Sequence, residues 1–188
     1  GDPLYSNTSG NYNVAIGQES MYDNVDGDYN IALGLRALMN NTSGNYNIGL
    51  GYWALRDNTS GGYNTAIGNS ALQNNETGTF NIAIGEQSMT LSESGGSNVA
   101  IGEQALSNIT SGSTNIGIGP ATSTSSNSAS NQIVIGYQAT GQADNSVVLG
   151  NSSVTAIYMA QDSGATIYAG NATFGGDVTI SSDTRMKS

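Results

Sequence analysis

The sequence of 188 residues contains no cysteine, no histidine, only 2 prolines and few charged side chains. It can therefore form no disulfide framework, no Cys/His zinc site, no thiol nucleophile and no histidine general base. Lys and Arg together number 4 against 14 Asp and Glu, which gives a net charge of −10. Because so few cations cannot line a phosphate backbone, we expect no nucleic-acid partner. No run of ~18 apolar residues is present, so no membrane insertion is expected, and no signal-peptide pattern opens the sequence.

Glycine, by contrast, is abundant, with 26 residues, and many of the glycines recur at a fixed spacing of 17. In seven successive copies an asparagine holds one place, with a glycine four residues later and another three residues earlier. An eighth copy has Gln132 in place of the asparagine, and a ninth, which begins at Ser146, follows after 14 residues. A fixed period of this kind is typical of a repeat protein. The repeated asparagines are Asn13, Asn30, Asn47, Asn64, Asn81, Asn98 and Asn115.

Each copy contains a short apolar segment of the form (Ile/Val)-Ala-(Ile/Leu), then an Ala-Leu pair, then an Asn-Thr-Ser-Gly turn. The first segment alternates large, small, large, which is the periodicity of a β-strand, so Ile31 and Leu33 point one way and Ala32 the other. Two-helix repeats need about 33 residues or more. Seventeen residues with two glycines instead fit one coil of a β-solenoid. The predicted fold class is therefore all-β, a β-solenoid of ~17-residue coils.

The period divides the chain into segments. Residues 12–150 are predicted to be the repeat region of about nine coils, and residues 1–11 a lead-in to it. Residues 151–181 lose the period but keep strand-like tracts, so they are predicted to be a β-rich neck. Residues 182–188 form a separate last segment.

A coil of this size has room inside for its alanine but not for the large third residue of the strand. These large residues need a partner surface, and sister chains can supply it with the same residues. We therefore expect a parallel homotrimer around a central axis, with a dimer as the alternative. The predicted axial residues are Ile16, Leu33, Leu50, Ile67, Ile84, Ile101, Ile118 and Ile135.

Polar and aromatic residues also recur with the period. We interpret the repeated asparagines as a buried amide ladder or turn formers rather than as ligand groups. A repeated aromatic position is interpreted as packing over the coil edges, with sugar stacking as the alternative. Trp53 replaces a polar residue of the unit and has no equivalent in other copies, so Trp53 and the adjacent Tyr52 are the predicted ligand-binding residues. The repeated aromatic residues are Tyr12, Tyr29, Tyr46, Tyr63 and Phe80.

The repeat unit, as it stands at residues 81–88, resembles that of the heads of trimeric autotransporter adhesins, the YadA-like β-roll. The same unit occurs in phage tail-fibre shafts. The resemblance covers about 12–150 and implies a left-handed trimeric roll with the isoleucine row toward the three-fold axis. The sequence departs from the adhesin heads in its 17-residue period, because their coils are usually shorter. The longer turn is expected to bulge outward.

The last residues carry a second resemblance. The run Ser-Asp-Thr-Arg-Met-Lys at 182–187 is similar to the opening of the intramolecular chaperone domain of tail fibres and tailspikes, the S74 peptidase family. In that family the chaperone drives trimerisation and then cuts itself off. The resemblance implies that Ser182 is the nucleophile, Lys187 the base, and the bond between Ser181 and Ser182 the cleavage point. Because the rest of that domain is absent from these residues, we expect no protease activity from this chain.

These observations predict a structural and adhesive segment of a trimeric phage tail fibre, located in the virion. Its expected partners are its own copies, a host-surface glycan or protein receptor, and other tail or baseplate proteins. The alternative is the head of a trimeric adhesin on a bacterial cell surface, and an ice-binding solenoid is a minor alternative. No enzyme activity on an external substrate, no cofactor and no metal site is predicted. Glu86 and Glu103 hold equivalent places in successive coils, so we interpret them as part of the repeat rather than as the acid/base pair of a glycosidase. The Asp26-Gly27-Asp28 run occurs only once in the sequence, so we do not interpret it as a repeated calcium site.

Overall fold

The computed structural model describes residues 1–155 and Ile157. The chain divides into two units, Gly1–Val154 and Thr155–Ser188. The described residues belong almost entirely to the first unit, which contains strands and turns but no helix over residues 1–155. Most of the predicted neck and all of the segment 182–188 lie outside the described residues.

Nine short strands of the first unit form one parallel sheet in chain order. Each residue of a strand pairs with the residue 17 positions later up to β8, and the step from β8 to β9 is 14. The structure thus confirms an all-β parallel β-solenoid with coils of about 17 residues. The strands are β1 (Val14–Ile16), β2 (Ile31–Leu33), β3 (Ile48–Leu50), β4 (Thr65–Ile67), β5 (Ile82–Ile84), β6 (Val99–Ile101), β7 (Ile116–Ile118), β8 (Gln132–Ile135) and β9 (Ser146–Leu149).

The interior of the solenoid is a thin column of alternating small and large side chains. The middle residue of each three-residue strand points inward, and from β2 to β7 it is alanine or glycine and buried. The opposite wall of each coil contributes one large residue that is fully buried. Because the large residue of the opposite wall fills the space that faces the strand, the small strand residue is a packing requirement. The large residues of this wall are Met21, Leu38, Leu55, Leu72, Met89 and Leu106, and the last of these coils also buries Ile109 at the place of the turn asparagine.

The distribution of volume across the core changes near the end of the sheet. A methyl group added at Gly117 would lie 2.4 Å from Cγ of Leu106, so the glycine makes room for that leucine. One coil later the position equivalent to Leu106 is Ser123, and the position equivalent to Gly117 is the buried Val134. The large side chain has therefore moved from the far wall to the strand.

The corners of each coil require left-handed backbone. Gly85, which follows β5, has φ of 133°, and a Cβ at this position would lie 2.4 Å from the carbonyl oxygen of Gly102 in the next coil. Three further corner positions have φ near +55° but carry ordinary L-residues, as at Tyr46 (59°), Trp53 (58°) and Leu55 (52°). Left-handed backbone is unfavourable for L-residues, so contacts between coils must offset its cost.

The segment predicted to be a lead-in already follows the coil pattern. The amide N–H of Leu4 donates to the carbonyl oxygen of Ser20 at 3.1 Å. Asn7 accepts a hydrogen bond of 2.7 Å from Nδ2 of Asn24, the residue 17 positions later. Residues 4–10 therefore stack on the following coil in register with it.

Candidate functional site

The repeated asparagines form a ladder of side-chain hydrogen bonds along the interior of the solenoid. Asn64 is fully buried. Its Nδ2 donates to the carbonyl oxygen of Gly78 at 2.8 Å, and its Oδ1 accepts from the backbone N–H of Asn81 at 3.0 Å. The same arrangement recurs from coil to coil. Because the amide groups bond to the chain itself, this row stabilises the fold and presents no group to a ligand.

A second asparagine ladder, which the sequence analysis did not single out, runs along the Asn-Thr-Ser-Gly turns. The Nδ2 of Asn58 donates to Oδ1 of Asn41 in the preceding coil at 2.6 Å and to the carbonyl oxygen of Gly61 at 3.0 Å. The ladder ends where Ser92 replaces asparagine, and Oδ1 of Asn75 is left without a partner in the described residues. Its signal in the sequence is the 17-residue spacing of the turn asparagines.

The predicted axial residues lie on the outer face of the sheet. Seven of the eight are exposed, from 58% at Ile16 to 36% at Ile84, and Leu50 is half-buried. A second row lies beside them, formed by the first residue of each three-residue strand and by Ile133 and Val147 in the last two strands. Most residues of this second row are Val or Ile, as at Val14, Ile31 and Ile82. The two rows make a continuous apolar face along the sheet, and no other part of the described chain covers it.

The repeated aromatic residues stack on one another. Successive ring centroids from Tyr12 to Phe80 lie 4.7 to 4.9 Å apart, with interplanar angles of 2° to 15°. The ring faces inside the stack are therefore covered by neighbouring rings, while the ring edges are exposed. Burial by these neighbours raises the pKa of Tyr46 above its ordinary value. Because sugars stack on open ring faces, this row offers a poor platform for a sugar along most of its length.

The environment of Trp53 differs from that of the aromatic stack. Its ring lies 4.5 Å from the ring of Tyr52 at an interplanar angle of 25°. The guanidinium carbon of Arg56 lies 4.8 Å from the centroid of the Trp53 ring, which is a cation–π contact. Arg56 also forms a two-point ion pair with Asp57, with Nε to Oδ1 at 2.8 Å and Nη2 to Oδ2 as the second contact. The hydrogen bonds that Arg56 donates to the Asp57 carboxylate raise the pKa of Arg56.

Uncharged polar groups surround this aromatic and ionic cluster. The Nδ2 of Asn40 donates to Oδ1 of Asp57 at 2.9 Å. With the amide of Gln73 oriented to satisfy both neighbours, its oxygen accepts from Arg56 at 3.2 Å and its nitrogen donates to Ser70 at 3.0 Å. Within the described residues, Nε1 of Trp53 is buried and has no hydrogen-bond acceptor. Sequence analysis identified Tyr52 and Trp53, and the structure adds Arg56, Asp57 and their polar neighbours to the same cluster.

The remaining predicted residues, Ser182 and Lys187, lie outside the described part of the chain, as does the bond between Ser181 and Ser182. Among residues 1–155 and Ile157, no group of three or more Asp or Glu side chains is placed to hold a metal ion. No helix in that part of the chain is long and apolar enough to cross a membrane.

Over the described residues, the fold defines the class of protein as a parallel β-solenoid, with an apolar outer sheet face and with an aromatic and ionic cluster around Trp53. Comparison with protein families, with curated proteins and with solved structures finds no match to this chain.

Proposed function

We propose that this chain is a segment of a trimeric fibre that attaches a phage tail to its host cell. The observation that carries the proposal is the apolar outer face of the sheet, which is continuous over the coils and uncovered by the described chain. Contiguous exposed apolar surfaces of this kind mark interaction sites. Because the axial residues recur once per coil, each of them can pack against the same residue of another copy along the whole length of the sheet.

The size of the effect favours stable self-association. Complete burial of an isoleucine side chain contributes about 1.5–3 kcal/mol. Ile84 is 36% exposed and most other axial residues only slightly more, so each contributes roughly 1 kcal/mol when covered. Eight such positions per chain, added to the neighbouring Val and Ile row, are enough to offset the entropy of association. A closed ring of three copies covers every face equally and leaves no open interface.

Two features support placing such a fibre in a phage tail. One is the resemblance of the repeat unit to tail-fibre shafts, and the other is the resemblance of residues 182–187 to the opening of a self-releasing chaperone. In this proposal the chain acts by spacing and binding rather than by catalysis. A trimeric adhesin on a bacterial surface uses the same roll and is the second candidate, favoured by the same apolar face.

The mass of the native particle, measured by light scattering, tests the proposal. A chain of 19.2 kDa should give a particle of three times that mass that persists on dilution. The variant Ile84→Asp places a charge at the centre of the face and should dissociate the trimer. The matched control is Gln87→Asp, an exposed residue of the same coil in left-handed backbone, which should remain trimeric. A stable monomer of the native chain, or a folded trimer of Ile84→Asp, would contradict the axial arrangement.

The attachment role needs its own measurement. Labelled trimer should bind to intact bacterial cells of a susceptible host and should compete with adsorption of the phage. A trimer that binds no cells and does not compete would leave the chain with the role of a spacer and refute the attachment part of the proposal.

A further inference from the structure

Two neighbouring coils carry side chains that the rest of the solenoid lacks. The only tryptophan of the sequence and both arginines of the described coils, Arg36 and Arg56, lie between residues 36 and 56. In the other coils, the position of Trp53 is held by Glu19, Arg36, Ser70, Gln87, Gln104, Ala121 and Gln138. The position of Tyr52 is held by Gln18, Leu35, Asn69, Glu86, Glu103, Pro120 and Tyr137.

The fold itself does not require an aromatic residue at this corner. Trp53 has φ of 58°, and the equivalent Gln87 and Gln104 have φ of 55° and 54°. The same backbone therefore forms with a small, a polar or an aromatic side chain. A large aromatic group that the coil does not need, with a buried N–H that has no acceptor in the described residues, calls for an explanation outside the repeat.

The chemistry of the cluster indicates the class of ligand. Tyr52 is 41% exposed, and the Trp53 ring stacks on one of its faces. The Trp53 ring therefore fixes the orientation of the Tyr52 ring. Along the same row the ring is flanked by Leu35, which is 38% exposed, and by the exposed Asn69. A flat apolar platform with an amide group at its border fits the C–H face of a sugar ring and a hydroxyl group at the edge of that ring.

The pairing of the charged side chains near Tyr52 indicates that the ligand is uncharged. Arg56 is paired with Asp57, and Arg36 with Glu19 at 2.5 Å, so neither cation is free to attract an anion. The platform is about two coils wide, with a step of ~4.8 Å between coils, which suits a single pyranose ring. We propose that Tyr52, backed by Trp53 and bordered by Asn69, binds a neutral hexopyranose; this inference rests on the proposed attachment function.

The single tryptophan provides the assay. Purified full chain is titrated with the methyl glycosides of glucose, galactose and mannose while the fluorescence of Trp53 is recorded. We expect a saturable change with at least one of them, with a Kd of roughly 1–10 mM. The variant Tyr52→Ala retains the fluorescence of Trp53, and its affinity for the glycoside should fall by at least tenfold. The control Tyr137→Ala removes an exposed tyrosine from the same row five coils away and should bind as the native chain does.

A second variant separates binding from folding. Tyr52→Glu combined with Trp53→Gln installs the pair found at 86–87 and 103–104, which the native fold already accommodates. It should remain folded and trimeric and should lose the saturation-transfer NMR signal of the bound sugar. A native trimer that responds to none of the three glycosides, or an unchanged response in Tyr52→Ala, overturns the sugar site while leaving the fibre intact. A monomeric native chain overturns the fibre proposal instead.

Discussion

Replacement of Asn64 by alanine tests whether the amide ladder stabilises the solenoid. The change removes the acceptor of the Asn81 backbone N–H, which has no other partner within the described residues. It also removes the shorter of the two bonds to the carbonyl oxygen of Gly78, and the longer one, from Asn75, remains at 3.2 Å. Nδ2 of Asn64 also donates to Oδ1 of Asn47 at 3.1 Å, and that oxygen keeps the backbone N–H of residue 64 as a donor. One buried donor is thus orphaned, and two buried acceptors each lose one of their donors.

The magnitude follows mainly from the orphaned N–H of Asn81 and the lost bond to Gly78. An unsatisfied buried N–H costs about 1–3 kcal/mol, and the lost bond to Gly78 about 0.5–1.5 kcal/mol. The free energy of unfolding of Asn64→Ala should therefore fall by about 2–4 kcal/mol. The matched control is Asn69→Ala in the same coil, where the side chain is exposed. Its Nδ2 lies 3.5 Å from the Glu86 carboxylate, and its Oδ1 accepts a hydrogen bond of 3.1 Å from the Ser70 hydroxyl. This control should stay within about 0.5 kcal/mol of the native chain.

The measurement is urea unfolding at fixed protein concentration, followed by far-UV circular dichroism and by the fluorescence of Trp53. The two probes are needed because a repeat protein can unfold in parts, and Trp53 lies in the coil between Asn47 and Asn64. If Asn64→Ala is no less stable than Asn69→Ala by either probe, the ladder does not carry the stability assigned to it here.

Three further changes test other parts of the structure. Gly117→Ala should cost about 1–3 kcal/mol by overpacking against Leu106, and the cost should fall in a Leu106→Ala background; equal costs in both would contradict the contact. Tyr46→Ala removes two stacking contacts of about 0.5–1.5 kcal/mol each, so thermal unfolding should shift downward, whereas an unchanged Tm would show that the stack is incidental. Hydrogen bonding to Arg36 is the main cause of the lowered pKa of Glu19, so Arg36→Gln should raise that pKa in an NMR titration. The stability that this pair contributes is present above the ordinary pKa of Glu19 and is lost as pH falls through the lowered one, and an unmoved titration would refute the pairing.

Much of the fold could be read from short-range pattern. The alternation in Ile31-Ala32-Leu33 predicted a strand with one inward residue, and the structure has that strand with Ala32 fully buried. The constant spacing of 17 predicted the register, because residues that recur at one place in every coil must stack on each other. Strand position and period are properties of neighbouring residues, so they required no knowledge of distant contacts.

The candidate site was predictable only in part. Trp53 stood out because its neighbours in the row are not aromatic. Its contacts with Arg56 and Asp57 depend on how the left-handed corner at Trp53 turns the chain, and the sequence places no glycine there to signal that turn. The second asparagine ladder was missed because turn asparagines also bond to their own backbone, and only the stacking of coils brings their amide groups together.

The sequence by itself determined the period, the strands, the small inward row and the row of large outward residues, since these follow from the order of side chains along one coil. Only the tertiary structure decided which groups meet across coils. It turned the faces of the tyrosine rings toward one another, and it placed the asparagine amides within bonding distance of the next coil. These contacts depend on side-chain direction at corners with positive φ, and that direction is decided when one coil packs on the next.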